Sequence, residues 1–263
     1  ARGFNILAPH ERCPVYDPDA GIAGHWHGTG AEMLGLRGEV DEEKFFALAD
    51  NVHPTRGGTL TARQKKDARV GLDITMSAPK SVSLLYARTG DEKILQAFRA
   101  SVNDTMREME GEMKTRVRKG GARSDRQTSN AVWCDFIHLT TRPVNGIPDL
   151  DMHAHCVLFN RTYDPVEECW KAAEWHDLMR DAPYYESAFQ ARLAANMQAL
   201  GYGVERRGKW WDVAGIPRSL IEKFSRRSAI IEAKAAEEGI TDAKAKAELG
   251  AKTREKKALH LNQ

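Results

Sequence analysis

Hydrophobic and polar residues alternate with two different periods in the first third of the chain. Residues 69–76 (RVGLDITM) alternate as a strand does, and the following Ser77-Ala-Pro-Lys80 is typical of a helix start, with a serine cap and a proline in the first turn. We expect this helix to continue to about Tyr86. Residues 41–52 have apolar side chains at helical spacing behind an acidic first turn, whereas residues 53–67 are polar and predict an exposed loop.

The rest of the chain predicts more helices and one hairpin. Residues 92–117 have an amphipathic helical pattern, and two strand-like runs, residues 130–139 and 151–160, flank Asn145-Gly146, a dipeptide that favours a hairpin turn. The other expected elements are a loosely structured lead-in over residues 1–25, a helix over 182–200, short strands near Val204 and over 210–213, and helices from Pro217 onward. This order predicts an α+β fold, with a mostly antiparallel sheet and helices packed against it.

Composition narrows the function classes only slightly. The 263 residues are 41% hydrophobic and 29% charged, with no apolar stretch long enough to cross a membrane and no secretory signal, so we expect a cytoplasmic protein. Four cysteines without CxxC spacing predict reduced thiols with no chemical role.

Basic residues are clustered although the net charge is only +2. Such clusters favour phosphate binding, but a solvated helix face explains them equally well, and we prefer that explanation from Ala229 onward, where Glu and Lys alternate at helical spacing. The candidate phosphate-binding residues are Arg116, Arg118, Lys119, Arg123, Arg226 and Arg227 of these clusters, together with Lys80 near the predicted helix start and Arg142.

Three histidines converge if the hairpin folds symmetrically. His153 and His155 lie two apart, so a strand places both imidazoles on one face, and His138 falls opposite His153 about the Asn145-Gly146 turn. A single buried histidine is usually a core residue, but three that converge are typical of a catalytic metal site. We expect one divalent ion, with Mg²⁺, Mn²⁺ and Zn²⁺ left open; imidazoles favour zinc or manganese, whereas magnesium prefers oxygen ligands.

The histidine segments resemble the motif of the MobF-type conjugative relaxases, the TrwC/TraI-like domains of the HUH endonuclease superfamily. The matching segments are His138-Leu-Thr-Thr-Arg142 and the run from Leu150 to Asn160. Further similar blocks follow in family order: WHGTGAEMLGL from Trp26, GLDITMSAPKSVSL from Gly71, Leu200-Gly-Tyr202, Gly215-Ile-Pro217 and Phe224-Ser-Arg-Arg227. Together they cover residues 26 to about 230.

This resemblance implies a fold and a reaction. The fold is a two-layer, palm-like antiparallel sheet with flanking helices and C-terminal helices that clamp DNA. The reaction is site- and strand-specific nicking and rejoining of single-stranded DNA at a conjugative transfer origin, through a covalent 5′-phosphotyrosyl intermediate. The resemblance further implies that His138, His153 and His155 hold the metal, and that Asp73 acts as a general base or as a partner to a histidine.

The nucleophile departs from the family pattern, which has tyrosine doublets ahead of the tryptophan of the WxGxGAE block. This chain has Tyr16 there, ten residues before Trp26, and no doublet. We take Tyr16 as the candidate nucleophile; a start that lies upstream of Ala1 is the alternative. Tyr184-Tyr185 is a doublet, but it lies in a predicted helix, where a structural role is expected.

Two other functions remain open at this level: a non-catalytic single-stranded DNA-binding module of the same fold and a His₃ zinc hydrolase. A replication initiator with a similar nuclease core is disfavoured, because such proteins lack the GLDITMSAPKS and GIP blocks. We expect residues 1–230 to form the relaxase domain and residues 231–263 a charged helical extension. Expected partners are origin DNA, a type IV secretion coupling protein and accessory relaxosome proteins, with the chain acting as a bacterial cytoplasmic monomer that does not insert into membranes.

Overall fold

A computed structural model of the chain describes residues 3–8, 22–62, 68–119, 122–141, 143–242, 245–246 and 249–250. Tyr16 and Arg142 lie outside these residues, and so do the side chains of Lys119 and Arg123.

Strands and helices are labelled here in chain order. The strands are β1 (Phe4–Leu7), β2 (His25–His27), β3 (Gly71–Ser77), β4 (Lys114–Lys119), β5 (Ala122–Gln127), β6 (Trp133–Thr140), β7 (Leu150–Phe159), β8 (Thr162–Asp164), β9 (Cys169–Lys171), β10 (Ala173–Glu174), β11 (Val204–Arg207) and β12 (Trp210–Val213). The helices are α1 (Thr29–Met33), α2 (Glu42–Ala49), α3 (Lys80–Thr89), α4 (Glu92–Gly111), α5 (His176–Arg180), α6 (Ala182–Ala199), α7 (Arg218–Lys223) and α8 (Arg226–Glu237). No helix among the described residues is both long and apolar enough to span a bilayer.

The main sheet has five strands in the order β1-β3-β7-β6-β2, and β1 with β3, β3 with β7 and β2 with β6 pair antiparallel. The predicted α+β fold with an antiparallel sheet and flanking helices is therefore confirmed.

The chain divides into two compact units. Unit 1 comprises Ala1–Ser77, Gln96–His138 and His153–Asn196, and unit 2 comprises Ala78–Leu95, Leu139–Met152 and Met197–Gln263.

The core of unit 1 lies on the sheet face that carries even-numbered residues of β6 and odd-numbered residues of β7. Phe45 of α2 packs edge-on against Phe136 and Phe159 at ring-centroid distances of 5.9 and 5.3 Å. Elsewhere in this unit, Phe98 of α4 packs edge-on against Phe189 of α6 at 5.8 Å. Fully buried aromatic rings thus hold the sheet and the helices that flank it.

The β6–β7 hairpin has the predicted turn. Asn145 and Gly146 have φ values of 51° and 76°, the left-handed pair that a two-residue type I′ turn requires. Val144 and Ile147 form a bridge beside the turn, and at the far end the Phe159 N–H donates to the Val132 carbonyl at 2.9 Å. In both pairs, the two residues are equally far along the chain from the centre of the Asn145-Gly146 turn. The same relation places His138 opposite His153.

Three local predictions were wrong. The helix predicted over residues 92–117 ends at Gly111, and residues 114–119 form β4, where Thr115 and Val117 are buried at a period of two. Ser77 does not cap a helix, because it ends β3; α3 begins at Lys80 behind Pro79 and ends at Thr89, followed by Gly90 with φ 63° as its C-cap. The lead-in is not without structure, since residues 4–7 pair with β3 and residues 25–27 pair with β6.

Candidate metal centre

The structure brings His138, His153 and His155 together in unit 1. Their rings stand 5.2 to 5.4 Å apart, centroid to centroid, in all three pairings. One nitrogen of each imidazole can be chosen so that the three lie within 4.8 Å of one another, and all three residues are partly exposed. The predicted convergence is confirmed, while the role of the histidines as metal ligands stays a prediction.

Asp73 stands behind one of these imidazoles. Its Oδ1 lies 2.8 Å from His155 Nδ1, and the carboxylate is buried, with only 8% of the side chain exposed. β3 positions it, because Asp73 pairs with Val157 and its side chain therefore emerges on the same sheet face as His155. If His155 donates its Nδ1 proton to Asp73, Nε2 is left as an acceptor that can bind a metal.

Thr75 is a neighbour of this site that the sequence analysis missed. It is directly opposite His155 in the β3–β7 register, and its Oγ1 lies 3.4 Å from His155 Nδ1. The signal that could have found it is the period of two: Thr75 follows Asp73 by two residues and therefore shares its face.

The donor set fits a divalent metal ion. Three imidazoles with spacing of this kind, one of them held by a carboxylate, match the ligands that zinc and related transition metals take in open, catalytic sites.

Several candidate DNA-binding cations are engaged with protein oxygens. Within unit 2, Lys80 Nζ donates to the Leu150 carbonyl at 2.5 Å and to Asp151 Oδ1 at 2.9 Å. Arg226 Nε donates to Oδ1 of the buried Asp149 at 2.7 Å, and Arg227 donates to the carbonyl of Gly250 at 3.2 Å. Lys80 and Arg226 thus bind residues 148–151, the segment in which β7 begins.

The other basic candidates lie on the β4–β5 hairpin of unit 1. Arg116 pairs with Glu174 and approaches Asp125 at 3.7 Å, whereas Arg118 is exposed. Arg118 and Arg123 are directly opposite each other in the β4–β5 register. This hairpin therefore presents basic residues at neighbouring positions on two paired strands, an arrangement that the helix prediction did not provide.

The tyrosine doublet of α6 has structural partners. The Tyr184 hydroxyl donates to Glu108 Oε1 at 2.6 Å, and this hydrogen bond raises the pKa of Tyr184. Burial, followed by the nearby carboxylates, raises the pKa of Tyr185 to about 12. Both shifts disfavour the phenolate, which is the stronger nucleophile, and agree with the structural role expected for this doublet.

Comparison with known proteins identifies the family of the chain. The TrwC relaxase family model matches residues 11–263. The multifunctional conjugation protein TraI of Escherichia coli is 33% identical over 219 residues, which are 78% of this chain and 12% of that protein. The chain therefore spans only about an eighth of the length of this relative.

Solved structures give the same relationship for the fold. A copper-bound complex of the conjugative relaxase TrwC with oriT DNA has a TM-score of 0.85 at 30% identity, and covers 97% of this chain and 91% of its own. TrwC bound to a 27-mer with the recognition hairpin and the cleavage site has a TM-score of 0.84 at 31% identity, with 97% and 90% covered. On its matching family model, its relatives and its fold, the chain belongs to the TrwC relaxase family.

Proposed function

We propose that this chain nicks and rejoins one DNA strand at a conjugative transfer origin, in a metal-dependent reaction through a tyrosine. The convergence of His138, His153 and His155, with Asp73 bound to His155, carries the proposal. Family membership supports it over a small-molecule zinc hydrolase and over a replication initiator. The TrwC structures, solved with oriT DNA, support DNA as the substrate.

The histidines would hold the ion, and Asp73 would keep His155 oriented. A bound divalent ion supplies Lewis-acid chemistry, which polarises the scissile phosphate and offsets the charge that builds on its oxygens. Asp73 would accept a hydrogen bond from His155 Nδ1 and thereby leave Nε2 as the nitrogen that could bind the ion. The hydrogen bond through Oδ1 favours the positioning role, and a general base would act through the other carboxylate oxygen, Oδ2.

The covalent step exchanges one phosphate ester for another. The tyrosine hydroxyl oxygen attacks phosphorus, the bond from phosphorus to the 3′-oxygen breaks, and that oxygen takes a proton and leaves as a free 3′-hydroxyl. The 5′-phosphate stays on the tyrosine, and the reverse attack by a 3′-hydroxyl reseals the strand. Tyr16 is the residue that we assign to this step.

Basic residues would hold the substrate. The β4–β5 hairpin, with Arg116, Arg118, Lys119 and Arg123, and the cations Lys80, Arg142, Arg226 and Arg227 are the proposed phosphate contacts. Exposed Arg118 is expected to contribute most among those with described side chains, because Lys80 and Arg226 already bind carboxylates.

The proposal also includes the partners and the location of the chain. The partners are a coupling protein and relaxosome proteins, and the chain acts as a monomer in the cytoplasm.

The histidine assignment is tested with single alanine variants. His138→Ala, His153→Ala and His155→Ala are each expected to abolish metal-dependent cleavage of a labelled origin oligonucleotide and to leave its binding largely intact, because binding depends on phosphate and stacking contacts. His176→Ala is the matched control, since this histidine is exposed, with 81% of its side chain accessible. Cleavage that survives in all three variants would refute the metal site.

The nucleophile is tested by trapping the covalent intermediate. Incubation with metal and labelled origin DNA should give a denaturant-stable adduct that maps to Tyr16, and Tyr16→Phe should remove the adduct without weakening DNA binding. Tyr184→Phe is the control and should keep the adduct. An adduct that persists in Tyr16→Phe would move the nucleophile to another tyrosine; tight binding without any adduct would favour the non-catalytic DNA-binding module, which the missing doublet also favours.

A further inference from the structure

The β11–β12 hairpin of unit 2 exposes a large aromatic side chain. Trp210 and Trp211 are consecutive in β12 and therefore point to opposite faces of the hairpin. Trp211 is 8% exposed, whereas Trp210 is 48% exposed. About half of the Trp210 side chain is therefore exposed to solvent, whereas the neighbouring Trp211 is buried.

The hairpin is fixed at its base and free at its tip. Ser81 of α3 donates from Oγ to Asp212 Oδ1 at 2.5 Å and accepts from the Val213 N–H at 3.0 Å. The turn between the two strands is Gly208-Lys209, directly before Trp210, and Gly208 has φ 59°. Trp210 is therefore a rigid platform close to an exposed turn.

Positive charge is concentrated at the turn beside this platform. Arg206, Arg207 and Lys209 lie within four residues of one another at the turn. Arg207, the cross-strand partner of Trp210, is paired with Glu205 at 3.2 Å and with Asp212 at 3.3 Å. Arg206 is the cross-strand partner of Trp211 and so lies on the other face from Trp210, but its Nε donates to the Gly208 carbonyl at 3.1 Å, which places its guanidinium at the turn. Neither Arg206 nor Lys209 makes an ion pair with a carboxylate among the residues that the structure describes, so both charges are available to a ligand at the tip.

An exposed indole with two available cations at the adjacent turn fits single-stranded nucleic acid. An unpaired base offers a π face to Trp210, and the flanking phosphates offer anions to Arg206 and Lys209. Duplex DNA keeps its base faces stacked, so it would use the cations but not the tryptophan. An acidic protein surface would likewise leave the indole without a flat partner.

We infer that the tip of the β11–β12 hairpin, with Trp210, Lys209 and Arg206, is a contact site for single-stranded DNA in which one base stacks on Trp210. The inference rests on the proposed function for its substrate class and adds a site to it. This site is separate in sequence from the histidine motif and from the basic β4–β5 hairpin.

Stacking is tested on the whole chain by fluorescence anisotropy with a labelled oligothymidylate of about 15 nucleotides. Trp210→Ala should weaken binding by about 5- to 150-fold, and Trp210→Phe, which keeps an aromatic face, should recover most of it. Val166→Ala is the matched control: Val166 is 68% exposed at another hairpin turn, beside Glu167 and Glu168, and its loss should leave binding unchanged. Thermal unfolding of each variant checks that the fold is retained.

Two further measurements separate stacking from charge. Saturating oligothymidylate should quench tryptophan emission more in the wild type than in Trp210→Phe, since the extra quenching comes from Trp210. Replacing Arg206 and Lys209 together by alanine should lower the slope of log Kd against log salt by about 0.7 per lost phosphate contact. Affinity for a blunt duplex should respond to the charge variants but not to Trp210→Ala.

The outcomes distinguish this inference from the proposed function. A wild type that nicks origin DNA, together with Trp210→Ala that binds oligothymidylate as tightly as the wild type, would refute the stacking site and leave the nicking proposal intact. Equal losses in Trp210→Ala and Val166→Ala would also refute it. A wild type that binds no oligothymidylate would overturn the inference, and the proposed function would then be decided by the nicking assay alone.

Discussion

At the scale of single residues, the hydrogen bond between Asp73 and His155 is the contact that most directly links sequence to chemistry. A carboxylate that is almost inaccessible to water is stable only with a partner, and His155 Nδ1 at 2.8 Å is that partner. The same bond selects the His155 tautomer whose Nε2 is free to bind an ion. One buried acid in an otherwise apolar strand thereby sets the direction of a candidate ligand.

Replacing Asp73 by asparagine should weaken metal binding rather than DNA binding. The amide side chain of this variant could still accept a hydrogen bond but carries no charge, so we expect the affinity for Mn²⁺ or Zn²⁺ to fall by about 10- to 100-fold, as measured by isothermal titration calorimetry. Thr75→Val is the control, because Thr75 Oγ1 lies farther from His155, at 3.4 Å, and its loss should have a small effect. Unchanged metal affinity in Asp73→Asn would mean that the carboxylate does not position the histidine.

At the scale of elements, close backbone contacts and buried charges decide where short strands and helices lie. α1 packs against the segment before β6 through glycine: a Cβ on Gly30 would stand 2.7 Å from the Ala131 carbonyl oxygen. The β8–β9 hairpin is held by Asp164, which is fully buried and accepts from Arg126 at 2.7 Å and from Lys171 at 3.2 Å. Neither contact follows from hydrophobic periodicity.

Gly30→Ala should destabilise the fold by about 1–3 kcal/mol, because the new methyl group would overlap backbone atoms that cannot move independently. Urea unfolding followed by circular dichroism measures the loss. Gly111→Ala is the matched control: a Cβ there meets no atom within 4 Å, so alanine at the end of α4 should be neutral or slightly stabilising. Equal stability of the two variants would show that α1 can shift away from Ala131.

The Asp164 carboxylate should make stability depend on pH in the acid range. Burial by itself would raise its pKa, but hydrogen bonds from Arg126, Lys171 and two backbone N–H groups outweigh burial and lower the pKa to about 2. Since the folded pKa is below the unfolded value of about 3.9, the stabilisation is fully present above pH 4 and is lost as the pH falls toward 2.

Asp164→Asn should therefore lower the free energy of unfolding by about 2 kcal/mol at pH 7, and its difference from the wild type should shrink as the pH approaches 2. Urea titrations at pH 7, 4 and 2.5 give this dependence. Glu167→Gln is the control, because Glu167 contacts the same two cations but is 44% exposed and should contribute little. A pH-independent difference between Asp164→Asn and wild type would contradict the assignment.

At the scale of the whole molecule, neither of the two compact units is a continuous stretch of sequence. Unit 1 and unit 2 are each assembled from three separated stretches of chain. The predicted domain end at residue 230 lies inside α8, which continues to Glu237 and buries Ala235 at 1% exposure. The division into a 1–230 relaxase domain and a 231–263 extension stays a prediction.

Truncation tests that division. A chain of residues 1–230 should keep metal-dependent nicking of origin DNA, but it should unfold at least about 2–4 °C lower than a chain of residues 1–242, because α8 loses its second half. Differential scanning calorimetry and the cleavage assay on both chains measure the two effects. Nicking that is lost in residues 1–230 and retained in residues 1–242 would place part of the functional domain beyond residue 230.

Local periodicity was enough to predict the histidine site. The spacing of His153 and His155 and the Asn145-Gly146 turn are properties of neighbouring residues, and a strand's period of two together with a two-residue turn determines where His138 falls. The long helices α4 and α6 and the strand β3 were recognisable for the same reason, because each repeats its pattern several times within its own length.

Tertiary structure alone decided the elements that depend on a distant partner. The short strands β1 and β2 have too few residues for a pattern and exist because β3 and β6 supply hydrogen bonds to them. Residues 114–117 of β4 were predicted as helix, because the alternation of Thr115 and Val117 is too short to indicate a strand until pairing with β5 exposes the opposite face. Likewise, the sequence marks Lys80 and Arg226 only as cations; their pairing with Asp151 and Asp149, across many intervening residues, appears only once the chain has folded.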